Sequence, residues 1–106
     1  MREFEVELDH ALAEGELLES GPEDRRVLVT KIEGDVFAVD LWCSHEQVNL
    51  AGGSLIGNEI FCPRHFSSFD VRTGEVTGPP AEASLRSYSA TEDGTTLRIQ
   101  IDDAAE

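Results

Sequence analysis

Two short segments of this chain each place a cysteine beside a histidine. The segments Cys43-Ser44-His45 and Cys62-Pro63-Arg64-His65 are separated by sixteen residues, and the chain of 106 residues contains only two cysteines and three histidines. The stretch between them predicts a short hairpin around Gly57-Asn58, which would place the two segments side by side. Thiolate and imidazole side chains are ligands for transition metals. The pattern therefore predicts a metal or redox centre that joins two loops.

The same four side chains are compatible with more than one kind of site. Two cysteines and two histidines would suit a tetrahedral zinc site. Zinc fingers, however, usually pair Cys with Cys and His with His along the chain, whereas each segment here mixes the two types. The cysteines could also form a disulfide or pack as buried apolar residues. His10 has no partner at ligand spacing, and we predict a surface histidine without a role.

A longer pattern bears on these alternatives. The order Cys-x-His, sixteen residues and Cys-x-x-His resembles the signature of the Rieske iron–sulfur family, and the resemblance continues through residues 66–74 and Gly78-Pro79-Pro80. It implies a mainly β fold, with an antiparallel sandwich or barrel framework and an inserted cluster-binding subdomain. It also implies one [2Fe–2S] cluster with the ligands Cys43, His45, Cys62 and His65. The cysteines would bind a buried iron and the histidines an outer iron, and the neutral imidazoles would make reduction easier than in an all-cysteine cluster.

Departures from the pattern of the quinol-oxidising complexes indicate which members of the family this chain resembles. Val48 and Arg64 stand where Rieske proteins of quinol-oxidising complexes have an additional pair of cysteines that form a disulfide. Phe69 stands where those proteins have a tyrosine that donates to a cysteine sulfur, and a phenyl ring cannot donate. Ser67 remains as a possible donor, so the resemblance implies a potential nearer about −150 mV than about +300 mV. This pattern is similar to the soluble ferredoxins of aromatic-ring dioxygenase systems.

Two further residues are expected near the cluster. Phe66 follows His65, at a position where many relatives have glycine. Its ring would shield the cluster, form part of a docking surface, or pack as an ordinary loop residue. Pro80 belongs to the proline-containing segment, which the resemblance places over the cluster and which could equally be a rigid turn.

Alternation of apolar and polar side chains is the main secondary-structure signal outside this region. Strands are predicted at residues 3–9, 26–32, 36–39 and 97–101. The last strand is expected to pair with the stretch 85–89 across a turn at 92–94. No segment keeps helical spacing over roughly ten positions. We therefore predict one mainly β domain over residues 1–106, with the cluster-binding subdomain at about 42–80 and a frayed acidic tail at 102–106.

The formal net charge of −14 limits the partners of this chain. A negative surface disfavours nucleic acid and anionic membranes, and it attracts proteins that carry basic docking patches. No apolar run reaches the roughly 20 residues of a membrane span, and the start of the chain has no apolar signal region. We therefore expect a cytoplasmic location.

The residues left over after the four proposed ligands argue against catalysis by this chain. Only His10 remains for a mononuclear iron site, and no G-x-G-x-x-G segment is present for a nicotinamide or flavin. The resemblance thus implies an electron carrier between an NAD(P)H-dependent reductase and a terminal Rieske non-haem iron oxygenase of aromatic-compound degradation. The alternatives are a small Rieske subunit of a redox enzyme such as nitrite reductase, and a zinc-stabilised interaction module.

Overall fold

A computed structural model describes residues 2–45, 47–64 and 66–101, and its regular structure is almost entirely extended. The strands are β1 Arg2–Glu7, β2 Leu18–Ser20, β3 Val27–Ile32, β4 Asp35–Asp40, β5 Ser54–Ile56, β6 Glu59–Phe61, β7 Ser68–Asp70, β8 Val76–Gly78, β9 Ser87–Tyr88, β10 Ala90–Asp93 and β11 Thr96–Ile101. Within the described residues, the single helical element is a 3-10 turn at Leu50–Gly52. None of the described helical structure is long and apolar enough to cross a bilayer.

The strands form three antiparallel sheets. The first has the order β1-β11-β10, the second β2-β3-β4-β9 and the third β5-β6-β7-β8. The third sheet is a succession of hairpins in the segment between β4 and β9, where both cysteines lie. The predicted fold class, an antiparallel framework with an inserted subdomain, is confirmed. The predicted tail at 102–106 lies outside the described residues.

The β3–β4 hairpin shows how local sequence sets strand register. Its turn residues, Glu33 and Gly34, have positive φ angles of 54° and 85°. Positive φ at both central residues is the requirement of a type I′ turn, whose twist matches that of the flanking strands. The Glu14 carboxylate accepts hydrogen bonds from both turn N–H groups, which holds Glu33 in this uncommon conformation.

The pairing predicted for residues 97–101 is wrong. β11 pairs with β1 and with β10, whereas β9 pairs with β4. The chain leaves the second sheet after Tyr88 and enters the first at Ala90. The residues nearest the turn at Gly94 therefore pair with β11, whereas Ser87 and Tyr88 pair with β4. Of the stretch 85–89, Ser89 reaches β11, where its carbonyl accepts a hydrogen bond from the Gln100 N–H at 2.8 Å.

The second sheet is buried on both faces. In β3, Val27 and Val29 pack in a core with the apolar side chains of β11, whereas Leu28 packs in a separate core that contains both cysteines. In β4, Ala38 packs in the core that contains β11, and Val39 packs in the core that contains the cysteines. Successive side chains of a strand point to opposite faces, so this sheet is the middle of three layers.

Asp40, the last residue of β4, links the two ends of the inserted segment. Its Oδ2 accepts a hydrogen bond from the Arg86 N–H at 2.9 Å, and its Oδ1 accepts one from the Tyr88 hydroxyl at 2.5 Å. The Asp40 N–H donates to the Arg86 carbonyl at 2.9 Å. Because Asp40 closely precedes Cys43, these bonds fix the start of the first cysteine loop against the strand that follows the insertion.

We predict that Gly53→Ala destabilises the fold. A Cβ atom at Gly53 would lie 2.1 Å from the Phe61 carbonyl oxygen and 3.2 Å from that of Leu50, and neither backbone atom can rotate away. The expected loss is about 1–3 kcal/mol in the free energy of unfolding, measured by chemical denaturation. Gly52→Ala is the matched control, because a Cβ there meets nothing within 4 Å. That variant is expected to stay within about 0.5 kcal/mol of the parent, and equal losses in both would contradict the prediction.

Tyr88 is expected to make the stability of the fold depend on pH in the alkaline range. Burial, reinforced by the hydrogen bond to Asp40, raises the pKa of Tyr88 from 10.0 to about 12. The folded state therefore holds the Tyr88 hydroxyl proton more tightly than the unfolded state does. The stabilisation that results is complete below pH 10.0 and is lost as the pH rises toward about 12. Tyr88 is the only tyrosine, so tyrosinate absorbance follows it directly. Tyr88→Phe should remove this part of the pH dependence, and a tyrosinate transition centred near pH 10.0 in the folded protein would refute the argument.

Candidate metal centre

The first cysteine loop follows β4 and is closed by backbone contacts. The Cys43 N–H donates to the Val48 carbonyl at 3.0 Å, and Trp42 and Asn49 form an isolated antiparallel bridge. Cys43 is 5% exposed at the base of this loop, whereas His45 is exposed. The loop therefore holds its thiol inside the protein and its imidazole at the surface.

The second cysteine loop connects β6 to β7. The Cys62 N–H donates to the Ser67 carbonyl at 2.8 Å, and the Phe66 N–H donates to the Cys62 carbonyl at 3.1 Å. Cys62 is 1% exposed. The fourth predicted ligand, His65, lies outside the described residues.

Both cysteines lie in one apolar core with Leu41, Ile60 and Phe69, and they are thiols rather than a disulfide. Across the described ranges, no three His, Cys, Asp or Glu side chains form a group able to hold a single metal ion. Each iron of a Rieske cluster takes two protein ligands, two cysteines on one iron and two histidines on the other. Two thiols in one apolar core, with an exposed imidazole two residues from one of them, are donors that fit such a cluster.

Ser67 is fully buried, as a residue acting next to a cluster would be. Its hydroxyl oxygen accepts a hydrogen bond from the Ala81 N–H at 3.0 Å. In the first cysteine loop, the Ser44 hydroxyl donates to the Ala83 carbonyl at 2.5 Å. The segment 79–85, here called the proline segment, is thus bonded to both cysteine loops, and within it Pro80 is exposed.

Phe66 does not pack as an ordinary loop residue. Its side chain is 70% exposed and its φ angle is +64°, in the region that residues with a Cβ rarely adopt. Phe69, three residues later, is fully buried as a core residue. A positive φ angle at an aromatic residue next to a predicted ligand makes Phe66 a candidate functional position.

The motif that ends at Gly74 has a structural role that the sequence did not reveal. The Gly74 carbonyl accepts the Leu85 N–H at 2.7 Å, and a Cβ at Gly74 would lie 2.2 Å from the Leu85 carbonyl oxygen. Its φ angle of +84° also favours glycine. Nearby, the Ser84 hydroxyl accepts the Val76 N–H at 3.1 Å. This turn therefore anchors the far end of the proline segment.

The positive side chains contribute little positive potential to the surface. Within the part of the chain that the structure describes, ion pairs with Asp or Glu are formed by Arg2, Arg26, Lys31, Arg72 and Arg98. The bidentate hydrogen bond from Arg72 lowers the pKa of Asp70, which keeps that carboxylate ionised. The surface field is therefore set by the excess of carboxylates.

Comparisons with known proteins agree with this geometry. The family profile described as Rieske [2Fe-2S] domain matches residues 3–89. The ferredoxin component of the p-cumate 2,3-dioxygenase system of Pseudomonas putida is 37% identical over 92 residues, which are 85% of this chain and 78% of that protein. The ferredoxin component of the naphthalene 1,2-dioxygenase system of Pseudomonas aeruginosa is 31% identical over 92 residues, 87% of this chain and 88% of that protein.

A solved structure gives the same result for the fold. The ferredoxin of carbazole 1,9a-dioxygenase from Nocardioides aromaticivorans IC177 superposes with a TM-score of 0.80 at 30% identity, covering 90% of this chain and 95% of that one. The predictions of a Rieske fold, one [2Fe–2S] cluster and an electron-transfer component rather than a catalyst are confirmed by these relatives. The chain belongs to the Rieske [2Fe-2S] domain family.

Proposed function

We propose that this chain is the ferredoxin of a multicomponent aromatic-ring dioxygenase system. It passes one electron at a time from an NAD(P)H-dependent reductase to a terminal Rieske non-haem iron oxygenase. The observation that carries this proposal is the contrast between two buried thiols in one core and an exposed imidazole in the adjoining loop. A carrier needs this arrangement, because its redox group must be shielded from water yet lie close to the surface that partners touch.

We propose Cys43, His45, Cys62 and His65 as the ligands. When bound, the cluster supplies a one-electron couple in the lower part of the Rieske range. The apolar core around the cysteines excludes water, and His45 lies on the side of the site that a partner can reach. The Ser67 oxygen accepts from Ala81, so its own proton remains to be donated to a sulfur, whereas Phe69 can donate none.

The partners are proposed from the surface charge. Several cations of the described residues are paired with carboxylates, and the net charge of the chain is −14. Reductase and oxygenase surfaces with basic docking patches would be attracted to it, at rates that fall as salt screens the charges. We also propose that the protein acts in the cytoplasm, and that residues 1–106 form one domain with its cluster-binding subdomain at about 42–80.

The alternative of a permanent subunit in a larger redox enzyme receives less support. Stable subunit interfaces are large and apolar. The exposed large apolar side chains of the described residues are Trp42, Ile56 and Phe66, which belong to three different elements: the first cysteine loop, the end of β5 and the second cysteine loop. Scattered side chains of this kind favour transient docking. The family match also favours an iron–sulfur cluster over the zinc-stabilised module.

The proposed ligands predict a specific spectroscopic result. Purified protein should be brown, contain iron and sulfide in equal amounts without zinc, and give a Rieske-type EPR signal after reduction by dithionite. Cys62→Ser and His45→Ala should each abolish that signal, because each removes a ligand that no neighbour replaces. His10→Gln is the matched control, since His10 bonds instead to Asp9 and Glu16. Colourless protein with one bound zinc would refute the proposed function.

Phe66 provides a test of docking. We predict that Phe66→Gly slows electron transfer to the oxygenase by about fivefold or more, as loss of a central aromatic contact does. The variant should be at least as stable as the parent, because glycine adopts a φ of +64° without strain. Raising the salt concentration should slow parent and variant by the same factor, because Phe66 carries no charge.

Ile56→Ser is the control for this test. Ile56 is 65% exposed at the turn of the β5–β6 hairpin, whereas Cys62 follows the opposite end of that hairpin. Its replacement removes a comparable exposed apolar side chain away from the cysteine loops. If it slowed electron transfer as much as Phe66→Gly did, general loss of apolar surface would explain both, and Phe66 would have no special role.

A further inference from the structure

The proline segment is held against the two cysteine loops by one serine from each loop. Ser44 donates from the first loop to the Ala83 carbonyl at 2.5 Å, and Ser67 accepts in the second loop from the Ala81 N–H at 3.0 Å. The serines therefore have opposite roles, one as donor and one as acceptor. Together they connect two loops that are separate in sequence through a third.

The two bonds differ in their surroundings. Ser67 and Ala81 are 0% and 5% exposed, so their bond belongs to the core. Ser44 and Ala83 are both exposed, so water can replace either partner when the bond opens. The Ser44 bond is therefore the one that can break without leaving a buried polar group unsatisfied.

The rest of the proline segment is anchored. Ala81 is held by Ser67, and Leu85 is held by the Gly74 carbonyl at 2.7 Å, with the Ser84 hydroxyl bonded to the Val76 N–H. Residues 82 and 83 lie between these fixed ends. The Ser44 hydroxyl acts on this central part, at the carbonyl of Ala83.

We propose that Ser44 is a positioning residue that closes the proline segment over the cysteine loops and thereby limits access of solvent to the cluster. The inference rests on the proposed ligands, because Ser44 lies between Cys43 and His45. The Ser44 hydroxyl bonds to the backbone carbonyl of Ala83. It acts through the backbone of the segment it holds.

The proposal has two consequences for the cluster. Water and small reagents should reach the cluster more often when the Ser44 bond is absent, so the cluster should be lost faster. The reduced cluster is more negative than the oxidised one by one charge, and water stabilises charge. Greater solvent access should therefore raise the reduction potential.

The experiment compares holoprotein variants Ser44→Ala, Ser44→Thr and Ser54→Ala. Ser54 is an exposed serine on β5 in the same inserted segment and serves as the matched control. For Ser44→Ala we expect two rates to rise by about two- to tenfold, the factor that corresponds to one hydrogen bond. The first is hydrogen exchange in a peptide that covers residues 81–84. The second is bleaching of the visible absorbance by a chelator in air. The reduction potential of Ser44→Ala should rise. Ser44→Thr, which keeps the hydroxyl, should behave as the parent, and so should Ser54→Ala.

Several results would overturn the inference. Unchanged exchange, bleaching and potential in Ser44→Ala would do so, as would a Ser44→Thr variant that behaved like Ser44→Ala. A uniform increase of exchange across all peptides would show general destabilisation rather than a local closure, and would also count against it. All three results leave the cluster in place, whereas parent protein without an iron–sulfur cluster would refute the proposed function itself.

Discussion

Burial of both faces of β3 and β4 is the constraint on which the other parts of the structure depend. Leu28 and Val29 are adjacent in sequence but lie in different cores, one with the cysteines and one with the first sheet. Full burial of a Leu or Val side chain contributes about 1.5–3 kcal/mol, so both cores draw stability from the same two strands. A register shift of one residue would exchange the two sets of side chains. The cysteine site and the framework are therefore specified together.

Features encoded by neighbouring residues were predictable from the sequence. The Cys and His spacing, the hairpin turn at Gly34 and the alternation in β1 and β11 each depend on a few consecutive positions. The partner of β11 was not predictable, because it depends on where the chain passes from the second sheet to the first. β10 carries Thr91, Glu92 and Asp93, which give no apolar alternation; the segment is extended because β11 supplies its hydrogen bonds.

The candidate site likewise has features that the sequence predicts and features that depend on the fold. The types of donor and the burial expected of the cysteines followed from sequence, but the connections that hold the loops did not. Ser44 bonds to a backbone carbonyl 39 residues away, and every residue has a carbonyl, so nothing in the sequence marks the partner. Ser67 was predicted as a donor, and the structure adds an acceptor role toward Ala81. Phe66 was conspicuous in the sequence, but its exposure and its positive φ angle depend on the fold of the loop and could not be predicted from the residue alone.

The position of Trp42 has a practical consequence. It is the only tryptophan of the chain, it immediately precedes Cys43, and its side chain is 41% exposed. Iron–sulfur clusters absorb broadly in the near ultraviolet and visible range, so an indole beside a cluster loop loses its emission to the cluster by energy transfer. The intrinsic fluorescence of this protein should therefore be dim when the cluster is assembled and bright when it is lost. The chain thus carries an optical reporter of its own cofactor content, which requires no label.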